Sequence, residues 1–434
     1  MAIPFKLREL DKAGGYIRVG LIGAGQMGRG MVAQVESMKG MRVVACADIQ
    51  VENAKNAYLQ TGIPESDVVV TDKVEIADRA VGENKVVATS DMDVVLNCAE
   101  VDVIVDATGI PNVGAEIAYK AILQQKHIVM LNVETDVTVG QLLWRMAKSA
   151  GVVYTGSAGD EPGALMELVH FAETLGFDIV VAGKGKNNPL NVEANPDTVR
   201  EAALSVRANP KMIASFQDGT KTMIEMTAVA NATGFVPDVP GMHGPTATVE
   251  QLPQVYRLKS EGGILHRKGV VDYVNGVAPG VFIIVSSDQP EVHHVMKYLK
   301  MGDGPNYVLF RPYHLTSLET PILIAKAYFD REETIVGWHG HVAETVAVAK
   351  KDLKPGDKLD GLGGYTVYGK IMVAEEAAKM GALPIGLVHQ SQVVAREVKK
   401  GEILTYDAVE NTQSLTIWEL RALQSKMIGK VNSK

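Results

Sequence analysis

The chain has 434 residues, 46% of them hydrophobic and 22% charged, and 43 basic against 51 acidic side chains give a formal net charge of -8. That length implies two or three domains, and the ordinary composition implies a globular protein. The acidic balance and the lack of a long basic block exclude a general nucleic-acid binder, and no apolar run reaches the roughly 20 residues that a membrane helix needs.

The opening stretch "MAIPFKLREL" is short and charged and lacks the apolar core of a secretory signal, so a cytoplasmic protein is expected. Cys46 and Cys98 both lie in apolar stretches and are read as two buried thiols, although the two are also able to pair. From Tyr16 onward, apolar runs alternate with helical patterns. "YIRVGLIG", "MRVVACADI", "VDVIVDAT", "HIVMLNV" and "VVYTGS" read as strands. Near-continuous apolar strands separated by amphipathic helices predict a parallel sheet covered on both faces. A polar insertion, about Asp67 to Asp91, is expected to interrupt the alternation.

The first strand runs into "GAGQMG", which places Gly23, Gly25 and Gly28 in G-x-G-x-x-G spacing with Ala24, Gln26 and Met27 between them. The motif follows a strand, opens a helix, and is followed by Asp48 at the end of the second strand. This is the context of a dinucleotide-binding turn, so the first domain, residues 1–157, is read as a doubly wound Rossmann-type sheet. The glycines allow a tight turn, close approach to a pyrophosphate, and helix-strand packing, and the helix N-terminus offers N–H groups to the phosphates. Asp48 suits a ribose hydroxyl and so favours NADH over NADPH, while an arginine elsewhere would reverse the choice. Thr108 and Gly109 in "ATGIP", and Asn132 and Glu134 in "NVET", close later strands at the carboxyl edge and are candidates for the nicotinamide side. Capping of the following helix is the alternative for Asn132.

Residues 158–340 mix helices, strands and long loops, and are read as an α+β central domain for substrate, catalysis and subunit contacts. "AGKGKNNPLN" follows the apolar "FDIVV". If the strand continues, Lys184 and Lys186 point the same way, and the glycines leave space beside them. Two ammonium groups suit an anion, or one of them loses its proton for acid/base work. Asn187 and Asn188 add neutral donors. Asp160 and Glu161 precede a helix with Pro162 near its start, and more than capping is implied by two acids. Glu225 and the apolar-flanked Asn231 share a helix with Lys221. Lys300, Asp303, Arg311 and His314 follow in "KMGDGPNYVLFRPYHLTSLE", where Thr316 and Glu319 predict a capping box. Residues 341–434 contain the weak repeat "AKKDLKPGDKL" and "AREVKKGEIL". It predicts a small β-rich module with internal pseudo-symmetry, closed by a helix of about Thr412 to Ile428.

Taken with "GDEPGALMELV" and "MTAVANATGFVPDVPGMHGP", these motifs resemble a family that joins a homoserine-dehydrogenase-like NAD(P)-binding half to a C-terminal SAF (β-clip) module. The resemblance spans about Tyr16 to Val409 and includes the DXP-reductoisomerase-like enzymes. It implies an NAD(P)H-dependent oxidoreductase of isoprenoid precursor synthesis, acting on 1-deoxy-D-xylulose 5-phosphate, and a homo-oligomer, dimer or tetramer. On that reading Lys184 or Lys186 polarises the carbonyl. Asp160, Glu161 or Glu225 moves protons or holds a divalent cation, and the metal ligands themselves stay unknown. Arg311 and His314 take the phosphate, with Lys300, Asn187, Asn188 and Asn231 lining the substrate. The alternatives are a homoserine-type or sugar-acid dehydrogenase without rearrangement, and an NAD(P)-binding regulator whose SAF module holds a sugar.

Overall fold

Seven short apolar runs in the first third of the chain form one parallel sheet. In the computed structural model, which describes residues 1–157, 159–206 and 208–431, these are β1 Ile17–Ile22, β2 Met41–Ala47, β3 Val68–Val70, β4 Val86–Thr89, β5 Val103–Asp106, β6 His127–Met130 and β7 Tyr154–Gly156. Their order is β3-β4-β2-β1-β5-β6-β7. The strands β4, β5, β6 and β7 are buried at every position, as expected for strands covered by helices on both faces. The strand order reverses between β1 and β5, where ligands of open α/β sheets bind.

The supposed insertion Asp67–Asp91 is instead part of the sheet: it supplies β3, the helix Val74–Gly82 and β4. Strands of three and four residues are too short to show through the polar segments around them. Cys46 and Cys98 are free and buried.

The chain forms two compact units that are discontinuous in sequence. The first holds Met1–Asp160, Leu315–Val336 and the segment from Leu415 on; the second holds Glu161–His314 and Gly337–Ser414. Ala158, where the sequence reading starts its second domain, lies outside the described residues. The final helix, Thr416–Val431, does not stay with the β-rich segment before it. It packs on the helices Pro111–Leu123 and Val133–Ala150, where Asn112 accepts the N–H of Ile417 at 3.1 Å and Gln424 accepts that of Leu142 at 3.0 Å.

The second unit is built on β8 Asp178–Lys186, β9 Val236–Pro237, β10 Val270–Asn275, β11 Val281–Ser286 and β12 Asn306–Arg311, ordered β12-β11-β8-β10-β9. β8, β10 and β9 run parallel, and β11 and β12 run antiparallel. The helices Glu161–Thr174 and Thr220–Thr233 pack against this sheet. On its other face, Leu252, Tyr256 and Leu265 bury Val270, Val274 and Phe282.

The strands β13 Ala343–Ala349, β14 Val367–Val373, β15 Gln392–Val394 and β16 Val409–Asn411 complete the unit. The two repeat copies meet at equivalent positions: Leu353 and Val398 exchange backbone hydrogen bonds of 2.8 and 3.0 Å. In each copy an acid three residues on accepts a lysine N–H, Asp357 from Lys354 at 2.8 Å and Glu402 from Lys399 at 3.0 Å. The repeat is thus a local two-fold in the backbone.

Candidate active site

In the first unit the three glycines do three different jobs. Gly23 has φ +102°, and a Cβ there would stand 2.7 Å from the carbonyl oxygen of Ala107. A Cβ on Gly28 would stand 2.0 Å from the oxygen of Gly23, so this glycine lets the helix Gln26–Glu36 close onto the turn. Gly25 is different, because a Cβ there would meet no protein atom within 4 Å. Gly25 and Gln26 are exposed, Met27 is half-buried, and Ala24 is buried. No side chain caps the helix at Gly25, so its first N–H groups stay available to an anion. The Asp48 carboxylate accepts the N–H of Ala24 at 2.9 Å through one oxygen and that of Gln50 at 2.9 Å through the other. It therefore fixes the turn as well as standing at the end of the second strand. These residues fit a dinucleotide.

At the neighbouring strand end, Asn132 is fully buried and caps its helix, accepting the N–H of Thr135 at 3.2 Å. Its amide also donates to the Ile110 carbonyl at 3.1 Å. Thr108 donates to Asp106 through its hydroxyl at 2.7 Å and its N–H at 2.8 Å, and Gly109 beside it is exposed at φ +64°. Glu134 lies in the first turn of the helix Val133–Ala150. Sequence reading overlooked Asp106. Burial pushes its carboxyl up to about 6, against the hydrogen bonds of Thr108. One of its oxygens has no hydrogen-bond partner. The acid closing the apolar run "VIVD" was the available signal.

In the second unit β8 does continue to Lys186, and Lys184 and Lys186 share a face. The glycines do not open space beside them. A Cβ on Gly183 would meet Phe282 at 2.4 Å, and one on Gly185 the Ala278 backbone at 2.4 Å. They thin the strand on the opposite face so that its neighbours can approach. Lys184 is 5% exposed and bridges two carboxylates, Glu161 at 2.6 Å and Glu225 in a shorter contact. Burial works to strip its proton, but the two acids overcome that and hold the ammonium charged. Glu225 is pushed up to about 7, first by burial and then by the Glu161 charge, with Lys184 and Lys221 opposing.

Lys186 is also 5% exposed, and among the described residues its ammonium has one hydrogen-bond partner, the Phe216 carbonyl at 2.8 Å. Burial, then the Lys184 charge, bring it down to about 8. His314 must carry its proton on Nδ1, since that atom lies 2.7 Å from the Pro279 carbonyl; its Nε2 is 3.5 Å from Glu161. Glu225, Lys184, Glu161 and His314 thus form one continuous line, with Lys186 two residues along the strand from its centre.

Asp160 is the last residue of the first unit's leading segment, and Glu161 opens the second. Arg311 lies level with Lys184 across β11, donates to Glu167 at 3.0 Å, and stacks on Tyr313. Asn187 is exposed and Asn188 half-buried, directly after β8. The oxygen of Asn231 is engaged by the N–H groups of Val342 and Ala343, at 2.9 and 3.1 Å, which anchors β13. Lys300 is not brought to this cluster by the sheet. Its connection leaves β11 at Ser286 and returns at Asn306, a pair at the far edge from Lys184. The predicted capping box also fails: Thr316 (φ +48°) opens a short 3-10 turn, the α-helix starts at Thr320, and Glu319 accepts the Leu315 N–H instead.

Residues 23–155 match the family described as homoserine dehydrogenase, NAD binding domain, and residues 159–320 match oxidoreductase DRL, catalytic domain. The chain carries an NAD-binding domain and an oxidoreductase catalytic domain. Together they describe an NAD(P)-dependent oxidoreductase. No curated protein matches the sequence.

Among solved structures, a probable dehydrogenase from Thermotoga maritima is 13% identical at a TM-score of 0.44, with 74% of this chain and 91% of that one covered. The scyllo-inositol dehydrogenase from Lactobacillus casei, solved with NAD(H), is 12% identical at a TM-score of 0.37, covering 62% and 73%. KijD10, a 3-ketoreductase from Actinomadura kijaniata solved with NADP, is 17% identical at 0.29, covering 44% and 56%. Overlaps this loose bear on no step of the chemistry.

Proposed function

We propose that the chain reduces the carbonyl of a small anionic compound with NAD(P)H, and that Lys186 is its proton donor. The carrying observation is a buried ammonium at a strand end with N–H groups to spare and a pKa brought down to about 8. A general acid works best when its pKa lies near the working pH. A coenzyme held at the glycine turn would supply the hydride for the carbonyl carbon, and Lys186 would give its proton to the oxygen, which becomes a hydroxyl. Lys184, held charged by Glu161 and Glu225, supplies fixed positive potential for the oxygen as it gains charge.

The finer reading is a reductoisomerase acting on 1-deoxy-D-xylulose 5-phosphate, with Arg311 and His314 near its phosphate. It is supported by the catalytic-domain match and by Arg311 standing level with Lys184 across β11. Glu225, raised by burial, then moves protons during the rearrangement, and a divalent cation on the substrate oxygens would assist it. Following nicotinamide absorbance with this phosphate and with homoserine-type substrates tests the proposal. Turnover of the phosphate, lost in Lys186→Ala with coenzyme binding intact, is expected. Full turnover by Lys186→Ala would end the assignment of the acid, and turnover of homoserine alone would replace the substrate.

A further inference from the structure

Three side chains from separate stretches of the second unit converge away from the lysine line. Asp238 directly follows β9, His243 lies in the loop beyond, and His266 precedes β10 by four residues. One Asp238 oxygen is 2.7 Å from His243 Nε2 and 2.9 Å from His266 Nδ1. The donor atoms of all three lie within 4.8 Å of one another. The Asp238 side chain is 1% exposed, and its second oxygen, Oδ1, is buried without a hydrogen-bond partner. Leaving such an oxygen unsatisfied costs about 1–3 kcal/mol. His266 is half exposed and leaves one side of the cluster open to solvent.

The loop is held in place to aim His243. Met242 has φ +66°, between Gly241 at +86° and Gly244 at +58°. A non-glycine residue there is strained. The strain is held by Asp272, whose carboxylate accepts the N–H of His243 at 3.2 Å and that of Gly244 at 3.0 Å. Asp272 pairs with Gly183 and Tyr273 with Lys184, so Asp272 sits on the sheet face opposite the two lysines. The cluster is independent of the proposed chemistry.

We propose that Asp238, His243 and His266 bind one divalent transition-metal ion. Two imidazoles and one carboxylate form a nitrogen-rich set suited to Zn²⁺ or Co²⁺ and poorly suited to Mg²⁺, which prefers oxygen. Three protein ligands leave a position for water or another small ligand. Binding requires the His243 proton on Nδ1 and the His266 proton on Nε2. Lys259 opposes this, because its Nζ is 2.8 Å from His266 Nε2 and an ammonium only donates. Lys259 must turn away as the ion enters.

The test is titration of the chelator-treated full-length chain with Co²⁺, read by its visible absorption, with Zn²⁺ as competitor. One equivalent is expected to bind and to be displaced by Zn²⁺. His243→Gln and His266→Gln should each weaken binding by about 100-fold, since even outer partners of metal ligands are worth 10–100-fold. Lys259→Met should tighten it. Zn²⁺ should raise the Tm of the parent chain but not of His266→Gln, where an exposed side chain is changed and folding is preserved. Absence of binding to the folded chain overturns the proposal, as does Co²⁺ binding that is unaltered in both histidine variants.

Discussion

The glycine turn of the first unit and the lysine strand end of the second are built by opposite means, one from backbone and space, the other from buried charge. The turn uses absence: no side chain at Gly25 and no side-chain cap on the backbone N–H groups of the helix start. The strand end uses buried charge, with Lys184 locked between Glu161 and Glu225 and Lys186 left with little to bind. A site of backbone and space tolerates most side-chain changes nearby. A site of buried charges is coupled throughout, and removing one member strands the others.

The sharpest way to break that contrast is Lys184→Met. It leaves Glu161 and Glu225 facing each other in a buried position, and removing one partner of a buried ion pair costs about 3–5 kcal/mol. Urea unfolding should show a loss of that size, and an unchanged midpoint would mean that the charges are not coupled. Next is Lys186→Ala, expected to slow turnover by about 100-fold, the size of losing one positioned donor, with coenzyme affinity retained. The pH dependence follows from the same group. Lys186 donates only while protonated, so kcat/KM should be level below pH 8 and fall above it. Its pKa is lower in the folded state than the ordinary 10.5, so its contribution to stability improves as pH rises from 8 toward 10.5. A profile unaltered in Lys186→Arg would remove it as the titrating acid.

In the first unit, Gly28→Ala and Gly25→Ala should separate. The first places a methyl against the Gly23 carbonyl oxygen and should cost about 1–3 kcal/mol of stability, as overpacking does. The second meets no protein atom, so the melting temperature should hold while NAD(P)H titration weakens. The smallest effect is expected from Asp48→Ser. It removes a negative charge from the second strand's end and should move the NADPH/NADH affinity ratio upward by about tenfold, the value of some 1.4 kcal/mol. A ratio that stays fixed would assign cofactor choice to another residue.

How much of each site could be read in advance follows the same contrast. The coenzyme turn lies in six consecutive residues with one acid 20 positions later, so spacing alone exposes it. Of the lysine network, only Lys184 and Lys186 are neighbours in sequence. Glu161 and Glu225 come from two helices and His314 from beyond β12. The reading named all five, but it could not pair them, nor tell that Gly183 and Gly185 serve the opposite face. Asp238 and His243 lie five residues apart in the loop "VPDVPGMHGP", but His266 stands 23 residues further on, so spacing alone does not join the three.

The chain's local chemistry determined the alternation of strands and helices, the coenzyme turn, and the two turns of the C-terminal repeat, because each rests on backbone geometry within a few residues. Tertiary structure alone decided that residues 315–336 and the last helix return to the first unit, that Lys184 stays charged while Lys186 is driven down, and that two histidines share one aspartate. Burial and the distance between charges set those outcomes, and both are properties of packed neighbours far apart in sequence.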